Sequence, residues 1–509
     1  MSTQTNLAKA FDARKSFFAH RASTVFPLRL RAKADLHIIF LNYWLLKNGI
    51  EEIGINFRIY DVSGNLIARQ ALEAIALHNQ VSVRDAIVQP NGGGIPFDGM
   101  IEVEVVSAAN IAFPFPAILG VYEADGRFSA VHAAGRIKNA DEAKYATRTE
   151  ESNWSCCFEK MGNSQEFSVV PFFHYFIGAT PPTEDESIIV TLRDANGVML
   201  ETKCIAVSGM LPFSSRLFLA DEIFKLAALP PAGSFMSVAL RSVDVFPRLV
   251  VGNLHKEIDF LEVTHSFPVA EFIDYCPQDD AMNQKCSYPS LLSAQTAPGL
   301  ELEVRVFPTN CSGSSEVSVS RKLYSENILR SADEKFAFDS QPGSSGLAFT
   351  LTPDEEMRVL HLSGNTIPSR LNASYRYRVA GVSRRFSTDI ATGAKSIVYP
   401  PKWRHWGHGC IGAGYDTYVL LRNNTHNPKS THANTGELRI VSHAFDKKIA
   451  LQVAAESCVA LKLSELMDLD PNVGGPVFVS WIISMKEPVG ETFWVSYHAN
   501  GSVFGEHGF

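Results

Sequence analysis

Two stretches of this chain repeat each other, and that repeat limits the fold more than any other feature. Residues 55–67 and 188–200 share one pattern at a shift of 133. Ile55, Phe57 and Ile59 fall on Ile188, Val190 and Leu192, Asp61 falls on Asp194, and Gly64 on Gly197. The same shift carries Val103 and Val105 onto Met236 and Val238, Phe113-Pro114 onto Phe246-Pro247, and His132 onto His265. Small gaps bring Asp85 onto Asp221 and Gly99 onto Gly233. A chain with such self-similarity is built from copies of one supersecondary unit, each burying its apolar face with its own partners and its neighbours.

Each part of the copy has a physical reading. Apolar residues at every second position make a strand with one buried face. Asp-x-x-Gly then turns the chain, because Asp accepts from amides ahead of it and Gly tolerates positive φ. Val81-x-Val83-x-Asp85 and Leu217-x-Leu219-x-Asp221 read as strands running into a short helical turn that the Asp is placed to cap. The copy closes on a strand carrying a histidine. Fainter echoes follow. Leu302-x-Val304-x-Val306, Val317-x-Val319, Leu347-x-Phe349-x-Leu351 with Thr352-Pro-Asp-Glu-Glu, and Tyr375-x-Tyr377-x-Val379 suggest a third copy. Leu438-x-Ile440, Val459-x-Leu461-x-Leu463, Val477-x-Val479 and Phe493-x-Val495-x-Tyr497-His498 suggest a fourth. Long periodic helices are absent from the pattern. The expectation is a mainly all-β chain of tandem antiparallel β-sandwich modules, immunoglobulin-like or jelly-roll-like, with short helical turns. The modules are placed at 25–137, 154–267, 299–400 and 414–509, after a polar leader at 1–24. Linkers are expected at 138–153, 268–299 and the glycine-rich 407–414.

Composition agrees. The 509 residues exceed the roughly 250–300 that one core serves. With 46% hydrophobic and 20% charged residues the chain reads as globular. A formal charge of −8 gives no global reason to bind nucleic acid. No run of about 18 apolar residues predicts a membrane span, and the first residues lack a secretory signal. Eight scattered cysteines without a CxxC read as reduced thiols, which points to a cytoplasmic location and leaves export without a cleaved signal open.

Standard catalytic signatures are missing from the sequence: there is no GxxxxGK[ST], GxSxG, HExxH or EF-hand loop. Asn91-Gly-Gly-Gly94 lacks the strand and helix of a phosphate loop, and one carboxylate per Asp-x-x-Gly turn falls short of a calcium site. Histidines recur at the ends of copies, at His132, His265 and His498. They read either as core rings bonded to loop carbonyls or as sites at one end of each sandwich. The densest chemistry lies in Trp403-Arg404-His405-Trp406-Gly407-His408-Gly409-Cys410. Trp403, Arg404 and Trp406 offer flat and cationic faces for a ligand such as a sugar. His405, His408 and Cys410, with His498, offer zinc-type donors. The opposing reading is a joint with buried Trp anchors. Repeated modules without a catalytic motif predict a non-catalytic binding or scaffold protein that needs no cofactor, presents loop surfaces to a glycan or a protein, and can pair with its own copies. The alternative is a metal-dependent enzyme, with zinc near Trp403–Cys410, acting on carbohydrate.

Overall fold

The computed structural model describes residues 19–509 apart from 73–74, 93, 112–115, 133–134, 139–148, 154–158, 161–167, 195–197, 226–233, 242–244, 247, 269–289, 296, 307–315, 326–327, 332–335, 340–346, 352–356, 364–369, 383–385, 396–401, 424–432, 456, 473 and 491. The chain is mostly β, and four modules share one eight-strand plan. In module 1 the strands are Arg21–Leu30, Ala34–Leu41, Gly54–Asp61, Leu66–Leu72, His78–Ser82, Phe97–Val106, Ile118–Ala124 and Arg127–His132. They form two antiparallel sheets in the orders 1-6-3-4 and 5-2-7-8. Module 2 repeats both orders with Thr149–Asn153, Ser168–Phe176, Ser187–Arg193, Met199–Ala206, Ser215–Leu219, Phe235–Arg241, Val250–His255 and Phe260–His265. Module 3 does so with Ser290–Gln295, Leu300–Val306, Glu316–Ser325, Ile328–Ser331, Leu347–Leu351, Met357–Ser363, Arg370–Val379 and Thr388–Lys395; a further strand, Phe336–Asp339, pairs with its third. Module 4 uses Lys402–Ile411, Tyr415–Asn423, Asn434–Val441, Asp446–Val453, Ser457–Lys462, Val477–Val489, Thr492–His498 and Val503–His507.

Asp61 and Asp194 hold the same place in this plan, where the third strand ends. Asp61 Oδ1 accepts from the Ser63 and Asn65 amides at 2.9 Å, and Asp194 Oδ1 accepts from Val198 N at 2.9 Å. Four differences from the sequence pattern follow from the first strand of each module, which carries weak alternation. Module 1 begins at Arg21, inside the supposed leader; module 2 begins at Thr149 and module 3 at Ser290, inside supposed linkers. Module 4 begins at Lys402, so residues 407–411 are strand and only Gly412–Gly414 turn.

The short helical turns lie between the fifth and sixth strands, at Arg84–Val88 (a single π turn), Ala220–Phe224 and Leu463–Met467. Asp85 and Asp221 do not cap them; they pair with Arg84 and Lys256. The cap comes from across the sheet. Asp35, on the second strand, accepts from Arg84 N at 2.9 Å, and its counterpart Asp416 accepts from Ser464 N at 3.2 Å. The matching stretch of module 3, Thr352-Pro-Asp-Glu-Glu, lies outside the described residues.

The two sheets of a module differ in burial. In the 1-6-3-4 sheet the third strand alternates, as in module 1, where Ile55, Phe57 and Ile59 are buried, while the first and sixth strands there are buried along most of their length. The 5-2-7-8 sheet is covered on both faces: every residue of Tyr415–Asn423, Val250–His255 and Phe260–His265 is buried. Ile38 and Phe40 face the core of module 1, while Ile39, Leu119 and Val121 pack into a core shared with module 4. Such strands read as continuous apolar runs because no face meets water.

The eighth strands meet at the centre. That of module 1 packs on the eighth strands of modules 2 and 4, and that of module 3 packs on the same two, closing a ring. Ser129 Oγ accepts from Val263 N at 2.8 Å between modules 1 and 2. Ser387, ahead of the eighth strand of module 3, donates from Oγ to Glu262 of module 2 at 2.6 Å. Arg29 and Arg31 of module 1 both bind Asp259 of module 2, Arg31 through Nε at 2.6 Å. Among the described residues no helix is long and apolar enough to cross a membrane.

Candidate functional site

The ring brings the ends of three eighth strands together. His132, His265 and His507 hold matching positions there, opposite Leu119, Val250 and Phe493 of the seventh strands. Each follows by six residues a turn residue at positive φ: Gly126, Asp259 and Gly501. The sequence pattern places His498 in this set, but His498 ends the seventh strand, and the repeat continues through one more hairpin to His507. The eighth strand of module 3 contains no histidine.

Glu506 joins the three rings. One donor atom from each of His132, His265, Glu506 and His507 lies within 4.8 Å of the others. His132 Nδ1 is 3.1 Å from Glu506 Oε2, and His507 Nε2 is 3.9 Å from Oε1. The His132 ring meets those of His265 and His507 edge-on, at 4.4 and 4.5 Å between centroids. His132, His265 and Glu506 are buried and His507 is half-buried. Backbone carbonyls orient two rings: His265 Nδ1 bonds Ser266 O at 2.9 Å and His507 Nδ1 bonds Gly508 O at 3.1 Å. These bonds put the proton on Nδ1 and leave Nε2 unprotonated. His132 Nδ1 is buried and makes no hydrogen bond despite its closeness to Glu506. Arg248 Nη1 lies 3.4 Å from His132 Nε2. Burial, and then Arg248, pushes the His132 pKa well below the usual imidazole value. Burial and the neighbouring rings with Arg248 do the same to His265. Burial raises the Glu506 carboxyl. The His132 and His265 rings are therefore neutral at neutral pH.

The Trp403–Cys410 segment is a strand, the first of module 4. Alternation sends His405 to the face opposite His408 and Cys410. His405 Nδ1 lies 3.3 Å from Thr492 Oγ1, and His408 Nδ1 lies 3.1 Å from Ser480 Oγ, which His78 also bonds at 2.9 Å. Cys410 is fully buried, and burial pushes its thiol pKa up, away from a thiolate ligand. His498 accepts from Asn500 N at 3.0 Å and packs on Tyr415. The structure does not gather these four into a donor set. Trp406 stacks on Tyr43 of module 1 and on Phe509, whose backbone exchanges two hydrogen bonds with that of Trp406. Trp403 is 51% exposed, and Arg404 donates to Leu46 O at 3.0 Å. Phe509 also touches the His132 ring at 5.0 Å, so the C-terminal tail links this strand to the histidine cluster.

Glu506 and His507 carry no repeat signal along 437–498, which is why sequence reasoning passes over them. The turn Asn500-Gly501, matching Asp125-Gly126, is the signal that finds them. No family model and no curated protein matches the chain.

Proposed function

We propose that the protein is a non-catalytic scaffold whose ring of modules presents one outer edge to protein partners. The reading rests on the fourth strand of module 2, Met199–Ala206, which ends its sheet. Met199 is 61% and Leu200 45% exposed, with Val198 and Ile189 open beside them. The fourth strand of module 4 holds the same outer place but opens Asp446-Lys447-Lys448, the charge that normally blocks edge pairing. An edge that opens on exposed apolar residues, with its Glu201 and Lys203 paired to each other, suits a strand added by another protein, and a second copy of this chain is the simplest donor.

Sedimentation of the full chain over a concentration series tests this, with photo-crosslinking from position 200 in extracts of the source cells. Association or a discrete adduct that disappears in the M199K/L200K double variant, with melting unchanged, is the expected result. A chain that stays monomeric at every concentration and yields no adduct overturns it. The exposed Trp403 favours a second reading, a sugar contact at Trp403 and Arg404. Glycan-array binding lost in W403A decides for it.

A further inference from the structure

We propose that His132, His265, Glu506 and His507 bind one divalent cation of the zinc class and so tie modules 1, 2 and 4 together at the centre of the ring. This stands apart from the partner edge proposed above, and neither depends on the other.

Three observations carry it. The first is the donor set. Three imidazoles and a carboxylate are a closed set for a borderline-soft ion that prefers four ligands. Donors around tetrahedral zinc sit about 2.0–2.1 Å from the metal, hence about 3.3 Å apart. The present atoms, all within 4.8 Å, need shifts on the order of 1 Å to close. His507 is the half-buried member of the set.

The second is preparation of the ligands. Ser266 O and Gly508 O accept from the Nδ1 atoms of His265 and His507, the outer contact that fixes a metal-ligating tautomer. His132 Nδ1 is buried 3.1 Å from Glu506 Oε2 and faces the same point; Arg248 donates to Nε2, so the neutral ring holds its proton on Nδ1, and a metal there requires that proton to move to Nε2 as Arg248 turns aside. Arg248 brings a positive charge to the cluster; it balances Glu506 when the site is empty and contacts His132 on its Nε2 side.

The third is the way the set arises. The rings come from one strand position in three modules, so closing the ring places them about a common centre. Module 4 adds Glu506 one residue before its histidine, and module 3 contributes no ring. A metal here reads out correct assembly: the ligands meet only when three modules are in place.

The test uses the untagged full-length protein, stripped with chelator and dialysed. Zinc alone should bind at one equivalent per chain and raise the melting temperature. Cobalt in its place should give the intense visible bands of a tetrahedral site. H507A and E506Q should each weaken zinc binding at least about tenfold, since even outer-contact changes cost that much. H408A and H498A should leave it unchanged. H265A should abolish it, and if that variant does not fold, H507A and the cobalt spectrum of the unaltered chain decide. No saturable zinc binding, binding unaffected by H507A and E506Q, or loss in H408A or H498A instead overturns the proposal.

Discussion

The strand Lys402–Ile411 and the three converging ends of the eighth strands pose opposite problems. The first concentrates two Trp, two His and a Cys within a few residues, and the fold spends nearly all of them on packing. The second draws on residues up to 375 positions apart, 132 to 507, none of them conspicuous locally, and gathers them into one polar cluster. Density along a chain measures composition; a site needs convergence in space. In a β-strand alternation divides neighbours between two faces, so a dense run on one strand is the arrangement least able to form a single donor set. Repetition does the reverse. One histidine in a copied strand becomes three around a centre once the copies close.

The widest separation between the two regions is in stability. Trp406 is 7% exposed, held between Tyr43 and Phe509, and joins module 4 to module 1. W406A should cost about 3–5 kcal/mol, the range for emptying a buried aromatic site. Denaturant melts check it. A loss within about 0.5 kcal/mol would mean that the tail, not the ring, holds the two modules, and Trp406 would return as a candidate contact.

The acid response comes next. Burial, then His78, holds the His408 pKa down to about 3, against an ordinary value of 6.5. A base whose folded pKa is depressed binds more protons when unfolded across that interval. Stability is therefore complete above about pH 6.5 and is lost as the pH falls toward 3. At pH 5 one such ring costs about 2 kcal/mol relative to neutral pH. H408Q should flatten the acid limb of a pH–stability curve by about that amount, with or without zinc. The limb due to His132 and His265 should instead move when zinc is added, because protons and metal compete for the same nitrogens. A zinc-dependent change that vanishes with H408Q would reverse the two assignments.

Legibility in the sequence divides along the same line. The third strand of modules 1 and 2 and its Asp turn were readable because one face is wet, which imposes period-two alternation on residues such as Ile55, Phe57 and Ile59. The second strands of modules 1 and 4, Ala34–Leu41 and Tyr415–Asn423, carry no period because both of their faces are covered. Strand order and the ring were not legible, since both depend on pairing between distant segments. The true cap of the helical turn, Asp35 or Asp416, lies 49 or 48 residues from the amide it serves, too far for any local rule. At the site, His132 and His265 were visible as a repeated pair. The sequence pattern places the third member one strand early, at His498, because the hairpin that carries His507 sits beyond the last clear echo.

Trp403 supplies the smallest effect and the finest test of the contrast. It starts the same strand as Trp406, yet the register slips between Lys402 and Arg404, so Trp403 has no cross-strand partner in the ladder. Its side chain is 51% exposed, whereas Trp406 three residues on is enclosed. Little apolar surface leaves water when this ring folds into place, and truncation leaves no cavity behind. W403A should therefore change stability by no more than about 0.5 kcal/mol, inside the usual range for surface positions. The paired melts of W403A and W406A separate a ring kept open for contact from one used as an anchor. If W403A costs as much as W406A, the bulge is itself ordered by packing, Trp403 is a second anchor of the joint, and the sugar reading at Trp403 and Arg404 loses its only support.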